Sequence, residues 1–314
     1  APSPPGGCSR GMVVTPLEFG AQGNGKSNDT AALLAAMQYG SYCGVIVNVG
    51  PPGKKYLVFP HTAVSLRNVT IQIDGEIVGP SLAKWNPGML TWPTGSCAYK
   101  ERGAACAKTG GISPEYQRSR WALLHLVDSE YVVINGPGTL RSDGQSFWTV
   151  RNKKPNVRGY CMLKIERSAH IRLRGLKIVD SPMYQVVVVS SRQVHIEGMR
   201  MTIHDDKLDQ EGPHNTDGIN ILNSTEVVVK DCELESGDDN LVVKEGSKEI
   251  LAEGLTLRRG KGISIGSLGE RNADNQVVEN VRIARVRAQH CMYGVRIKTW
   301  LGSQGLVRNV TFQD

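Results

Sequence analysis

The amino-acid sequence predicts an all-β chain wound as a parallel β-helix. Two recurring columns of short strands carry that expectation, together with the scarcity of helical periodicity between them. The first column repeats apolar, polar, bend residue, apolar, polar, apolar. It reads Leu173-Arg174-Gly175-Leu176-Lys177-Ile178, then Ile196-Glu197-Gly198-Met199-Arg200-Met201. It returns as Val229-Lys230-Asp231-Cys232-Glu233-Leu234 and Ala252-Glu253-Gly254-Leu255-Thr256-Leu257. Two further copies are Val278-Glu279-Asn280-Val281-Arg282-Ile283 and Val307-Arg308-Asn309-Val310-Thr311-Phe312. The bend residues step by 23, 33, 23, 26 and 29 positions. Alternation with period two means strands, and Gly, Asp or Asn at the centre tolerates the positive φ of a bend.

The second column holds Val186-Val187-Val188, Ile219-Asn220-Ile221, Leu241-Val242-Val243, Ile263-Ser264-Ile265 and Val295-Arg296-Ile297. Its centres step by 33, 22, 22 and 32 positions. Two columns in step predict coils stacked at the strand spacing of about 4.8 Å. The rival architecture is a β-sandwich, whose hairpin-linked strands would not repeat at a shared offset.

One helix is expected, from Asp29 to Gln38, with Ser27 and Asn28 as cap candidates and Gly40 following. It would close the N-terminal end of the coil stack, where an open edge invites pairing with another chain. The stretch from Ser81 to Arg120 breaks the rhythm and reads as an excursion beside a groove or a surface loop. Residues 1–314 are read as a single β-helix domain. The last residue, Asp314, falls inside a fresh copy of the repeat, so the C-terminal end is expected to be truncated or finished in another way.

Composition narrows the classes of function. Thirty-seven Lys and Arg against thirty Asp and Glu leave a net charge of +7, which favours anionic partners. No apolar run reaches the roughly 18–20 residues needed to cross a bilayer as a helix. No basic run interleaved with aromatics supports a nucleic-acid partner, and no Cys/His spacing suggests zinc. Of seven cysteines, Cys8 and Cys43 could tie down the N-terminus and Cys97 and Cys106 could close a short loop, pairings that spacing alone does not decide. Sequons at Asn28, Asn68, Asn223 and Asn309, with the cysteines, lean towards a secreted glycoprotein. The start at Ala1-Pro2-Ser3 reads as a chain whose leader has been removed.

Charged residues gather at the second column. Asp217 precedes Gly218-Ile219, Asp238 and Asp239 precede Asn240-Leu241, and Lys261 precedes Gly262-Ile263. Arg296 and Lys298 lie two apart in the next coil and so on one face of a strand. Stacking would bring these acids and cations onto one surface. Crowded carboxylates cannot all ionise cheaply, so at least one should keep its proton to higher pH. An acid beside ionised carboxylates is what glycoside cleavage needs, one group protonating the leaving oxygen while another activates water. The cations would hold an acidic sugar by its carboxylate.

These residues also carry a family resemblance. Asn215-Thr216-Asp217, Gly237-Asp238-Asp239 and Arg296-Ile297-Lys298 resemble the signature of polygalacturonases, the pectin-cleaving glycoside hydrolases of family 28. Gly262-Ile263-Ser264-Ile265-Gly266-Ser267-Leu268-Gly269 and the turn Asp143-Gly144-Gln145 before Trp148 are similar to further family segments. The resemblance implies a right-handed parallel β-helix, secretion to the cell wall, and metal- and cofactor-free inverting hydrolysis of α-1,4-galacturonan by a monomer. It implies Asp238 as general acid, Asp217 and Asp239 as activators of water, and Asn215, Lys261, Arg296 and Lys298 as substrate-binding residues. The third motif departs from the family, reading Gly260-Lys261-Gly262 where the family has Gly-His-Gly. A protonated Lys cannot accept a hydrogen bond, so a weakly active or inactive pectin-binding protein is the alternative expectation. His204 and His214 are the nearby candidates to replace that histidine. A β-helix lyase is the third reading, and it would want a calcium-binding acidic cluster and an Arg base.

Overall fold

The computed structural model describes residues 8, 11–85, 121–153, 159–205, 213–269, 276–301 and 304–314. Strands here pair in parallel and build a 17-stranded sheet and an 8-stranded sheet. The smaller sheet is the second column of the sequence. Its strands run in spatial order His61–Val64, Ala122–Val127, Cys161–Glu166, Val186–Val189, Ile219–Leu222, Leu241–Val243, Ile263–Leu268 and Val295–Thr299. Register is fixed by burial. Ile219 pairs with Val186 and Leu241, and Ile221 with Val188 and Val243, so branched side chains from every coil meet in the interior. Burying one such side chain fully is worth about 1.5–3 kcal/mol, and the ladder repeats it at each coil.

The bends of the first column adopt the conformation that their residue types suggest. Gly175, Gly198, Asp231 and Gly254 have φ of 71°, 62°, 50° and 68°. The last two copies sit differently from the expectation. Glu253 pairs with Ala284 and Lys248 with Glu279, so the coil after Gly254 bends at Arg285, with φ of 51°. Asn280 and Asn309 belong to a neighbouring bend column, one shared with Asn68, Tyr131, His170, Gln193, Glu226 and Glu249. There Asn280 donates to Glu249 Oε1 at 2.6 Å, and Asn309 donates to Asn280 Oδ1 at 2.7 Å.

A buried serine ladder turns the corner between the two sheets. Ser129, Ser168, Ser191 and Ser224 each donate their hydroxyl to the carbonyl two residues earlier. Each hydroxyl also accepts from the preceding coil, from the backbone N–H of Leu66, Ser129, Ser168 and Ser191 in turn, at 3.0–3.1 Å. Backbone donors that leave the sheet ladder at the corner are thereby satisfied in the dry interior.

Among the described residues there are two α-helices. The first, α1, spans Thr30–Cys43 and packs on the first coil through Leu33, Ala36 and Met37. It runs past the expected end at Gln38, because Gly40 is a contact and not a terminator. A Cβ at Gly40 would lie 2.3 Å from Val47 Cγ2, so only glycine lets the helix sit that close to the strand. The stop is Gly44, left-handed at φ 65°. A disulfide joins Cys8 to Cys43 at the end of α1. Cys97 and Cys106 lie outside the described residues, as do residues 86–120 of the arrhythmic segment. The second helix, α2, spans Gly144–Lys153, where the sequence suggested a turn. Its Trp148 is buried and donates Nε1–H to the Ser181 carbonyl at 3.2 Å, pinning the helix beside the smaller sheet.

Candidate active site

The site lies on the outer face of the smaller sheet, near its C-terminal end. One outward row runs Val187, Asn220, Val242, Ser264, Arg296, each directly paired with the next. The acids sit in the turns that feed these strands. Asp217 and Asp239 occupy equivalent places one coil apart, since Gly218 N–H donates to the Asp239 carbonyl at 2.9 Å. Gly218 is required there, because a Cβ would lie 2.3 Å from the Asn240 carbonyl oxygen. The turn of Lys261 lies on that of Asp238, with Lys261 N–H donating to the Asp238 carbonyl at 2.7 Å. Asn240 fastens this stack, donating to the Leu234 carbonyl and accepting from Gly262 N–H at 2.9 Å.

Asp239 is 1% exposed, and its two oxygens are fully engaged by cations and a hydroxyl. Ser264 Oγ donates to Oδ1 at 2.7 Å, Arg296 Nη2 donates to the same oxygen at 2.5 Å, and Lys298 Nζ donates to Oδ2 at 2.9 Å. Burial opposes ionisation of this carboxyl, but Lys298, Ser264 and Arg296 together outweigh it and hold the pKa below the ordinary 3.8. The rise expected from crowding therefore does not fall on Asp239.

Asp238, at 8% exposure, faces different partners. Lys261 Nζ lies 2.9 Å from its Oδ1. Its Oδ2 accepts from the backbone N–H and from the amide of Asn215, both at 3.3 Å. Burial works against a charge on Lys261, yet attraction to Asp238, with further pull from Asp239 and Asp217, raises its pKa above the ordinary 10.5. The ammonium is thus retained across the whole acidic and neutral range.

All the residues singled out from sequence, Asn215, Asp217, Asp238, Asp239, Lys261, Arg296 and Lys298, meet on this face. His204 is committed elsewhere. His204 pairs with Asp180 at 3.1 Å, and His214 is exposed. One contributor escaped the sequence reading, Arg151 on α2. Its guanidinium donates to the His214 carbonyl and to Asn215 Oδ1, which orients the Asn215 amide towards Asp238. The signal was its place three residues beyond Trp148, on a helix read as a turn.

The arrangement is a pair of acids of different availability on a cationic floor. Residues 108–314 match the sequence profile of Glycosyl hydrolases family 28. The chain is 30% identical over 308 residues to an Arabidopsis thaliana protein named "Probable polygalacturonase", covering 97% of this chain and 58% of that protein. It is 26% identical over 307 residues to a polygalacturonase of Chamaecyparis obtusa, covering 95% and 52%. The chain thus spans just over half the length of these relatives. Among solved structures, the endo-xylogalacturonan hydrolase of Aspergillus tubingensis superposes with a TM-score of 0.76 at 19% identity, over 96% of this chain and 72% of that one. The exopolygalacturonase of Thermotoga maritima gives 0.66 at 18%, over 98% and 76%. These two likenesses establish the parallel β-helix fold. A profile match across more than half of the residues, with 30% identity over nearly the whole length, makes this chain a member of glycosyl hydrolases family 28.

Proposed function

We propose that the protein hydrolyses α-1,4-galacturonosidic bonds of polygalacturonate with inversion at the anomeric carbon. The observation that supports this best is the division of labour between adjacent carboxyls: Asp239 is saturated by Arg296, Lys298 and Ser264, while Asp238 meets, among the described residues, Lys261 and Asn215. In this reading Asp238 carries the proton to the glycosidic oxygen as the bond to the leaving sugar breaks. Water attacks the anomeric carbon from the opposite face and gives its proton to Asp217, with Asp239, its oxygens already occupied, helping to activate the water as a fixed negative charge. Arg296 and Lys298 then serve two anions, the buried Asp239 and the carboxylate of a bound galacturonate. Asn215 aligns Asp238, and Lys261 adds positive charge on the sugar side. No metal or other cofactor is assigned a role.

Secretion to a cell wall, in monomeric form and as one domain over residues 1–314, belongs to the same reading. The Cys8–Cys43 disulfide and the exposed sequon asparagines favour it. Nucleic acid and membrane have no place in it; no helix among the described residues is long and apolar enough to cross a bilayer.

The Lys261–Asp238 ion pair favours a second reading, a pectin-binding relative with little turnover. A protonated Lys261 at that carboxyl can only donate and never accept. Incubation with de-esterified polygalacturonate separates the outcomes. New reducing ends, abolished by Asp238→Asn, support hydrolysis. Unsaturated, ultraviolet-absorbing ends would mean elimination and overturn it, and retention on the polymer without cleavage would favour the binder.

A further inference from the structure

A second surface, on the larger sheet and away from the acids, has the makings of a polysaccharide site. Tyr131 and His170 follow one another in the left-handed bend column, with φ of 55° at each. Asparagine fills the same column at Asn68, Asn280 and Asn309, as its short side chain suits that conformation. A bulky aromatic there is strained, and the bend itself gives no reason for one. The rings nevertheless stack face to face, 4.4 Å apart and 4° from parallel, and Tyr131 stays 53% exposed.

Beside this stack runs a shallow groove of about 500 Å³, bounded by Tyr131, His170, Arg172, His195 and Glu226. Arg172 and His195 are paired neighbours in the outward row of the sheet. The other basic side chains nearby are neutralised, Arg174 by Glu197 at 3.0 Å and Lys230 by Glu253 at 2.6 Å. Arg172 makes no ion pair among the described residues, and it is exposed. Partial burial, and then the charges of Arg172, Lys230 and Arg174, lower the pKa of His195 against the pull of Glu197.

We infer that this groove is a second, non-catalytic binding site for an acidic polysaccharide, with sugar rings against the Tyr131–His170 stack and a uronate carboxylate on Arg172. An exposed aromatic surface beside an uncommitted guanidinium matches a ligand with apolar C–H faces and carboxylates. The row of outward side chains follows the coil axis, so a linear polymer can meet several coils at once. The choice of polygalacturonate as that polymer rests on the proposed function; the site itself does not. Its effect is to hold long chains near the cleft by linking two weak attachments.

The test is retention in affinity electrophoresis through gels containing polygalacturonate, alongside hydrolysis of short oligogalacturonates that fill the cleft alone. Tyr131→Ala and Arg172→Glu should each weaken retention several-fold, with Tyr131→Phe restoring it, while turnover of short oligomers stays at the wild-type level. Gels with fully methyl-esterified pectin should show no dependence on Arg172. Arg296→Ala with Lys298→Ala should cut hydrolysis yet leave part of the retention, and adding Arg172→Glu should remove that part. Retention unchanged in both Tyr131→Ala and Arg172→Glu would overturn the inference and leave the cleft reading standing. A lower melting temperature of Tyr131→Ala with unchanged retention would make the stack a purely structural ladder and equally overturn it. Retention lost in the groove variants of a protein that cleaves nothing would support the groove and sink the hydrolase reading.

Discussion

Lys261 places its ammonium 2.9 Å from Asp238 Oδ1, and Asn215 approaches the other oxygen of the same carboxylate. The contact follows from backbone geometry. Gly260 and Gly262 are both left-handed, with φ of 68° and 74°, and Lys261 N–H is bonded to the Asp238 carbonyl. A side chain at position 261 is therefore delivered to Asp238 whatever its chemistry. The resemblance to the family implies a histidine at this position, which can accept a hydrogen bond when neutral. The lysine here, with its raised pKa, only donates.

Lys261→His should raise turnover on polygalacturonate several-fold. Initial rates on polygalacturonate for wild type and variant check this. Flat or lower turnover would make Lys261 a working part of the site.

Arg151→Ala should lower kcat with little change in KM. Arg151 holds the Asn215 side chain by its Oδ1, so that the Asn215 amide faces Asp238. Loss of that orientation misaligns the acid without removing a substrate contact. Arg151→Lys should restore turnover only in part, because an ammonium lacks the fork that reaches both the His214 carbonyl and Asn215. Equal losses in binding and turnover would point instead to a displaced helix.

Much of this geometry was legible in the sequence because it is backbone geometry. The gathering of acids and cations in consecutive coils followed from counting coils, and Gly175, Gly198, Asp231 and Gly254 announced their bends by residue type. The same signal misled at Asn280 and Asn309. Besides Asn68, their column is filled by Tyr131, His170, Gln193, Glu226 and Glu249, which advertise no bend, whereas the true counterpart of Gly254 is Arg285. The serine ladder had a sequence signature, with steps of 39, 23 and 33 from Ser129 to Ser224 in phase with the second column. What no pattern could give was the pairing of charges. Whether Arg296 and Lys298 face a substrate or Asp239 depends on side-chain reach, which spacing leaves open.

Ser191→Ala should destabilise the fold by about 1–3 kcal/mol, the cost of stranding a buried backbone donor. Ser191 Oγ is the acceptor for Ser168 N–H at 3.1 Å, in a corner that is closed to solvent. Ser224→Ala should do the same to Ser191 N–H. Urea titration reads both, and a shift within error of zero would mean that water replaces the hydroxyl.

Stability should also fall as the solution is acidified from neutral pH. His61 and His125 sit at the N-terminal end of the smaller sheet, and burial is the main cause that lowers the pKa of each below 6.5. For His125 the hydrogen bond that it donates to Glu166 opposes that shift, while Lys164 and Arg167 reinforce it. The sign follows from proton counts. Below 6.5 the unfolded chain takes up protons that the native histidines refuse, so the native state is progressively disfavoured until their own lower pKa values are reached. Asp239 adds a second, more acidic loss. Its native pKa is depressed, so its contribution is complete above 3.8 and disappears as pH falls through the lower native value. Melting temperatures measured from neutral pH downward should therefore decline in two stages. His125→Gln should flatten the upper stage and spare the lower one, and an unchanged upper stage in both His125→Gln and His61→Gln would show that these buried histidines do not govern it.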